Sequence, residues 1–187
     1  MRKVNLSSFI YPTCVVLLLM SNGFLLWQKS HALPAGSERG VNIAAVQSLM
    51  EQPLPDVDGK PVYLAGAPSR YLVLFVFSPG DCTACLEELT ELNRVAQGQS
   101  NFTVYGLMSY ATPDEMRQTQ RNFNVSFPLL QDARGQVLDS LKPPKTPWKI
   151  VVNVDRNQVV YEDMPSVTAA EREAFISRLG LLAGSSS

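Results

Sequence analysis

Two cysteines, Cys82 and Cys85, stand three residues apart where an apolar run gives way to an amphipathic one. A thiol attacks only as its thiolate, and a free cysteine with a pKa of about 8.5 is mostly protonated at neutral pH, so the site must activate one sulfur. Cys82 falls where a helix is expected to begin, and the unpaired N–H groups and partial positive charge of a helix N-terminus stabilise an anion. Cys82 is therefore the expected nucleophile. Cys85, one turn later on the same face, is placed to attack the mixed disulfide that Cys82 forms with a substrate, and so reads as the resolving thiol. Apolar neighbours such as Leu86 and Leu89 are expected to bury Cys85 and keep it protonated until needed.

The rest of the composition removes most other chemistries. Cys-x-x-Cys is also half of a zinc knuckle, but the third cysteine, Cys14, lies in an apolar N-terminal run and the single histidine, His31, in a linker, which leaves no third and fourth ligand. Met108 and Met164 as copper ligands are more simply read as packing. One histidine also rules out Ser-His and Cys-His catalysis. No metal and no cofactor are expected. Sixteen Lys plus Arg spread among seventeen Asp plus Glu give a net charge of -1, without the basic face of a nucleic-acid binder. With 187 residues the chain has room for one domain and an appendage.

That appendage is an address. Arg2 and Lys3 precede a largely apolar run from Phe9 to Trp27, nineteen residues that at about 1.5 Å each span a hydrocarbon core of ~30 Å. The basic end favours the cytoplasm, so the rest would lie beyond the membrane. Ser30-His31-Ala32 offers the competing reading of a cleaved signal peptide. The expected organisation is residues 1–29 as signal anchor or signal peptide, 30–45 as a Pro-, Gly- and Ser-containing linker, 46–183 as the folded domain and 184–187 as a tail. The implied location is the bacterial inner membrane, single-pass, with the catalytic domain in the periplasm, or a secreted or periplasmic protein if the segment is cleaved.

Positioning the dithiol falls to the elements around it. Within LPDVDGKPVYL, Leu54 to Leu64, Asp58-Gly59 turns a small hairpin. Tyr71 to Phe77, YLVLFVF, is a continuous β-favouring run expected of a central strand buried on both faces. Ser78-Pro79-Gly80-Asp81 breaks it, and Cys82, Cys85, Leu89 and Leu92 begin a helical face. Phe102 to Leu107 reads as a strand. Thr112-Pro113-Asp114-Glu115 opens a helix to about Phe123, with an N-cap, a proline at the first position and acids in the first turn. Leu129-Leu130 is a short strand, Gly135 to Leu141 a turn and helical piece, Trp148 to Val154 a buried strand, Val159 to Glu162 an antiparallel edge and Thr168 to Leu182 a closing helix. The order implies an α/β fold, a central mixed sheet with helices on both faces, preceded by the hairpin and the N-terminal transmembrane segment.

The phrases LPDVDGKPVYL, LVLFVFSPGDCTAC and LEELTELNRV resemble the thioredoxin-like thiol-disulfide oxidoreductases of the TlpA and ResA kind, and more broadly the AhpC/TSA redoxin superfamily, over Leu54 to Leu182. The resemblance implies a thioredoxin-like fold and a reductase of protein disulfides in a cytochrome c maturation-like or related pathway. It implies protein disulfide substrates and a membrane-borne electron donor as partners. It further implies a cis-proline facing the dithiol, at Pro147 in Thr146-Pro147-Trp148, which presents the Thr146 backbone to a substrate peptide. Glu88 matches the position where ResA-like proteins carry a functional glutamate near the dithiol; on a plain helix, Glu87 and Glu88 read instead as solvated surface. The chain departs from the pattern in having Asp81 and Ala84 where the family usually has Trp and Pro, and Val76 where thioredoxins bury an acid. Asp81 is placed to cap the helix while its charge opposes the thiolate.

Two other functions fit the same fold. A peroxiredoxin-like peroxidase would show Pro-x-x-x-Thr-x-x-Cys, but the matching positions before Cys82 hold Phe75 and Pro79, and those before Cys85 hold Ser78 and Cys82. A non-catalytic adaptor would bind a periplasmic partner without thiol chemistry.

Overall fold

A computed structural model describes residues 43–184 apart from Cys82 and Gln99, and no side chain of Ala84 or Cys85. The apolar run Phe9–Trp27 with Cys14, the spacer up to residue 42 with His31, and residues 185–187 lie outside the described residues. No helix among the described residues is long and apolar enough to cross a membrane.

The central strand forms where the sequence is most uniformly apolar. All seven residues of Tyr71–Phe77 are buried, and this strand (β3) lies in the middle of a five-stranded sheet. On one side it pairs in parallel with β4 (Phe102–Ser109), which pairs in parallel with β5 (Leu129–Asp132). On the other it pairs antiparallel with β6 (Trp148–Asn153), and β6 antiparallel with β7 (Gln158–Asp163) across an irregularity at Val151 and Val152. Before the sheet, β1 (Pro53–Pro55) and β2 (Pro61–Tyr63) form the expected hairpin. Its loop closes through the Asp56 carboxylate, which accepts from the Asp58 and Lys60 amides at 2.9 Å, and Gly59 adopts φ +79°.

Alternation along β3 sends its side chains to two cores, as a strand buried on both faces requires. Tyr71, Val73, Phe75 and Phe77 pack with Leu89, Leu92 and Val95 of the helix Glu88–Gly98 and with Phe175, Leu179 and Leu182 of the closing helix Ala169–Gly184. Leu72, Leu74 and Val76 pack on the opposite face with Val46 and Leu49 of the helix Ile43–Glu51 and with Val137 and Leu141 of the helix Gln136–Leu141. In chain order the helices are α1 (Ile43–Glu51), α2 (Thr83–Leu86), α3 (Glu88–Gly98), α4 (Pro113–Asn122), α5 (Gln136–Leu141) and α6 (Ala169–Gly184). Burying each large apolar side chain contributes about 1.5–3 kcal/mol, so the two faces of β3 hold the layers together.

Three details differ from the sequence reading. Residues 43–45, read as the end of the spacer, are the first turn of α1, which buries Ala45, Val46, Leu49 and Met50. The helix expected to run on from the dithiol is two pieces, interrupted at Glu87. β4 runs to Ser109, two residues beyond Leu107. Helix α4 begins as its sequence dictates, with Thr112 and Glu115 in a reciprocal capping box and Pro113 in the first turn.

Candidate active site

Parallel pairing brings the C-terminal ends of β3, β4 and β5 to one end of the sheet. β6 runs the other way, and its first residue, Trp148, lies opposite Val76. The chain therefore leaves β3 toward the dithiol at the end where it enters β6 from Thr146 and Pro147. The Thr146–Pro147 peptide bond is cis, and Pro147 is buried.

The segment between β3 and α2 is a closed turn. The Asp81 amide donates to the Ser78 carbonyl at 3.1 Å, and the Ser78 amide donates back to Asp81 Oδ2 at 2.7 Å. The second carboxylate oxygen reaches across the site: Thr146 Oγ1 donates to Asp81 Oδ1 at 3.0 Å. Asp81 thus joins the turn before the dithiol to the loop that ends in Pro147. Cys82 lies outside the described residues, as does the side chain of Cys85; the backbone of Cys85 belongs to α2, and Leu86 beside it is buried.

Glu88 overturns its reading as solvated surface. Glu87 is exposed, but Glu88 is fully buried at the start of α3, because the interruption at Glu87 sets the register that carries Glu88 inward. Its partner is Lys149 of β6, equally buried, whose Nζ donates to Glu88 Oε1 at 2.6 Å. The same Nζ donates to Ser166 Oγ at 2.7 Å and lies 4.1 Å from the centre of the Phe175 ring. The Ser166 amide donates to Glu88 Oε2 at 2.8 Å. Three ammonium hydrogens thus face a carboxylate, a hydroxyl and an aromatic face, the satisfaction a buried charge requires. Burial pushes the Lys149 ammonium below the usual lysine range, against the upward pull of Glu88, Asp163 and Glu171.

The sequence reading named Glu88 but not Lys149 or Ser166. The available signal was a single charge inside the buried run WKIVV, which asks for a counter-charge somewhere in the chain. Among the described residues, no three Cys, His, Asp or Glu side chains gather into a metal site.

Comparison with known proteins follows the geometry. Residues 45–176 match the family model described as the AhpC/TSA family. No curated protein matches the chain. Among solved structures, the chain is similar to a secreted Mycobacterium tuberculosis disulfide oxidoreductase homologous to E. coli DsbE, with 20% identity and a TM-score of 0.61 over 72% of this chain and 98% of that one. It is similar to a thioredoxin-like protein from Aeropyrum pernix, with 15% identity and a TM-score of 0.56 over 72% of this chain and 93% of the other. Xanthomonas campestris peroxiredoxin Q matches with 14% identity and a TM-score of 0.61 over 73% of this chain and 94% of that one. At these identities the likeness is one of fold.

Proposed function

Because the chain belongs to the AhpC/TSA family and is an oxidoreductase with the thioredoxin-like fold, we propose that its dithiol Cys82 and Cys85 exchanges disulfides with protein substrates outside the cytoplasm. The observation that carries the reading is the convergence of the dithiol segment and the Thr146–Pro147 loop at one end of the sheet, tied by the Asp81–Thr146 hydrogen bond.

Cys82, as thiolate, attacks one sulfur of a substrate disulfide, forming a mixed disulfide and expelling the other substrate sulfur as a thiolate. Cys85 loses its proton and attacks the Cys82 sulfur, and the first substrate sulfur leaves. The substrate gains two electrons and ends as two thiols; Cys82 and Cys85 lose two electrons and end as a disulfide. The two protons balance between the two dithiols. The Thr146 backbone pairs with the extended substrate segment in the manner of an added strand, with Pro147 shaping that edge. Glu88 acts near the dithiol by the charge it carries.

A reductase in an oxidising compartment needs electrons, so its partners are protein disulfides and a membrane-borne dithiol donor, in a cytochrome c maturation-like or related pathway. Arg2, Lys3 and the run Phe9–Trp27 supply the anchor, with the folded domain in the periplasm. The test is a pair of substitutions. Cys82→Ser abolishes disulfide reduction, and Cys85→Ser accumulates a mixed disulfide with a substrate protein. Retained reduction in Cys82→Ser, or no trapped species in Cys85→Ser, contradicts the reading.

A peroxidase is the second reading, favoured by the family and by the likeness to peroxiredoxin Q. There Cys82 would take oxygen from a peroxide, releasing water or an alcohol and becoming a sulfenic acid, which Cys85 would convert to the disulfide with loss of water. Peroxide consumption with a dithiol reductant decides between the two.

A further inference from the structure

We propose that the turn between β5 and α5, with Tyr110 lying against it and Arg134 within it, is a docking site for an extended segment of a protein partner that carries an aromatic residue two positions from an acidic one. The reading of the chain as a disulfide exchanger supplies the partner, a protein disulfide substrate. Neither Tyr110 nor Arg134 takes part in the thiol exchange itself.

Tyr110 directly follows β4, at the end of the sheet that also holds the turn before the dithiol and the Thr146–Pro147 loop. Its backbone lies in the left-handed region, φ +57°, which a bulky side chain rarely adopts. Three bonds to β5 hold it there. Ser109 Oγ donates to Asp132 Oδ2 at 3.2 Å, the Tyr110 amide to the Asp132 carbonyl at 2.9 Å, and Gln131 Nε2 to the Ala111 carbonyl at 2.7 Å. The ring comes to rest against Gly135, which is buried at φ +69°, and a Cβ on Gly135 would collide with Cζ, Cε1 and the hydroxyl of that ring. Yet Tyr110 remains 54% exposed. A tyrosine constrained in a sparsely populated conformation and still open to solvent is a rigid aromatic platform, which loses little freedom when a partner covers it.

Arg134 and Gln136, the chain neighbours of Gly135, line a cleft of about 470 Å³ together with Ser48 of α1, Gln52, Gln131 of β5 and Ser140 of α5. Two side chains of its lining are ionisable, Asp132 and Arg134. The Asp132 carboxylate is used within the fold: besides Ser109, it accepts from the Val137 and Leu138 amides at 3.1 and 3.0 Å. Arg134 is exposed and makes no ion pair or hydrogen bond among the described residues. Glu51 and Asp139, exposed on α1 and α5, do not line the cleft. A guanidinium therefore stands among neutral amides and hydroxyls, a setting that suits a carboxylate. The platform and the cleft adjoin at Gly135, and in an extended segment alternate side chains share one face, so an aromatic and an acidic residue two apart reach both.

The experiment is fluorescence anisotropy of short labelled peptides centred on Phe-Gly-Glu, Phe-Gly-Lys or Gly-Gly-Glu, titrated with the full chain at low salt. The unsubstituted chain binds the Phe-Gly-Glu peptide about tenfold more tightly than either of the others. Arg134→Glu inverts the order of the Phe-Gly-Glu and Phe-Gly-Lys peptides, and added salt shrinks the difference between them. Tyr110→Ala brings Phe-Gly-Glu to the level of Gly-Gly-Glu. If Tyr110→Ala fails to fold, Arg134→Glu carries the test, since its side chain is exposed and without a partner among the described residues. Equal affinities for the three peptides, absence of binding, or an order that survives Arg134→Glu overturn the proposal. Charge-dependent binding by a chain that reduces no protein disulfide upholds the docking site and rejects the exchange function; disulfide reduction without any peptide preference does the reverse.

Discussion

Thr146 Oγ1 and Asp81 Oδ1 lie 3.0 Å apart, across 65 residues of chain, and this bond fixes the turn before the dithiol against the loop that leads into β6. Thr146→Val removes the donor while keeping the shape of the side chain. The expected outcome is a loss of about 1 kcal/mol in urea unfolding and a fall of about tenfold in disulfide reduction, because misplacing a reacting group slightly is costly to rate. Thr146→Ser, which keeps the hydroxyl, is expected to retain most of both.

Asn93 makes a second long-range staple. Its Nδ2 donates to the Asn124 carbonyl at 2.9 Å, and its Oδ1 accepts from the Ser126 amide at 2.8 Å and the Ser126 hydroxyl at 2.9 Å. Asn93→Leu removes these three bonds, but Asn124 and Ser126 are exposed and the Ser126 hydroxyl still accepts from Gln97 at 3.0 Å, so the expected loss is about 1 kcal/mol, measured as a lower urea midpoint with an unchanged slope.

At Gly106 the constraint is space. A Cβ there would stand 2.5 Å from Leu129 Cδ2 and 3.2 Å from the Phe77 ring, inside the core beside the central strand. Gly106→Ala is expected to destabilise by about 1–3 kcal/mol through overpacking, read by thermal or chemical unfolding.

Acid acts through the caps. The Thr112 amide and hydroxyl hold the Glu115 carboxyl below the usual carboxylate range, and the Thr168 amide and hydroxyl do the same for Glu171. A carboxyl whose folded value is depressed binds fewer protons in the folded state, so its contribution is present above its unfolded value and is lost as pH falls through the folded one. Glu115→Ala should therefore melt lower than the unsubstituted chain at neutral pH, and the gap should close below about pH 4. A gap that persists unchanged in acid would contradict the capping assignment.

What the sequence disclosed and what it hid divide along one line, the range of the interaction. β3 was readable because a strand covered on both faces must be apolar throughout, and YLVLFVF is. Thr112, Pro113 and Glu115 announced α4 because a capping box is local. Helix α1 escaped because it is short, follows a spacer and has no acidic first turn to mark its start. On a plain helix Glu88 reads as surface as readily as it reads as a site residue, because its environment is set by Lys149 and Ser166, which lie 61 and 78 residues away. No local pattern reports such a pairing. The thiol assignments rest on the spacing of Cys82 and Cys85 in the chain and on the family to which it belongs.

The most direct test is to equilibrate the purified chain with defined mixtures of reduced and oxidised glutathione, quench with an alkylating agent and count the free thiols. The account predicts that Cys82 and Cys85 pass together and reversibly between two thiols and one disulfide at a single potential, with each ~30 mV corresponding to about 1.4 kcal/mol. Stoichiometric zinc on the two sulfurs, or a pair that never oxidises reversibly, would contradict it.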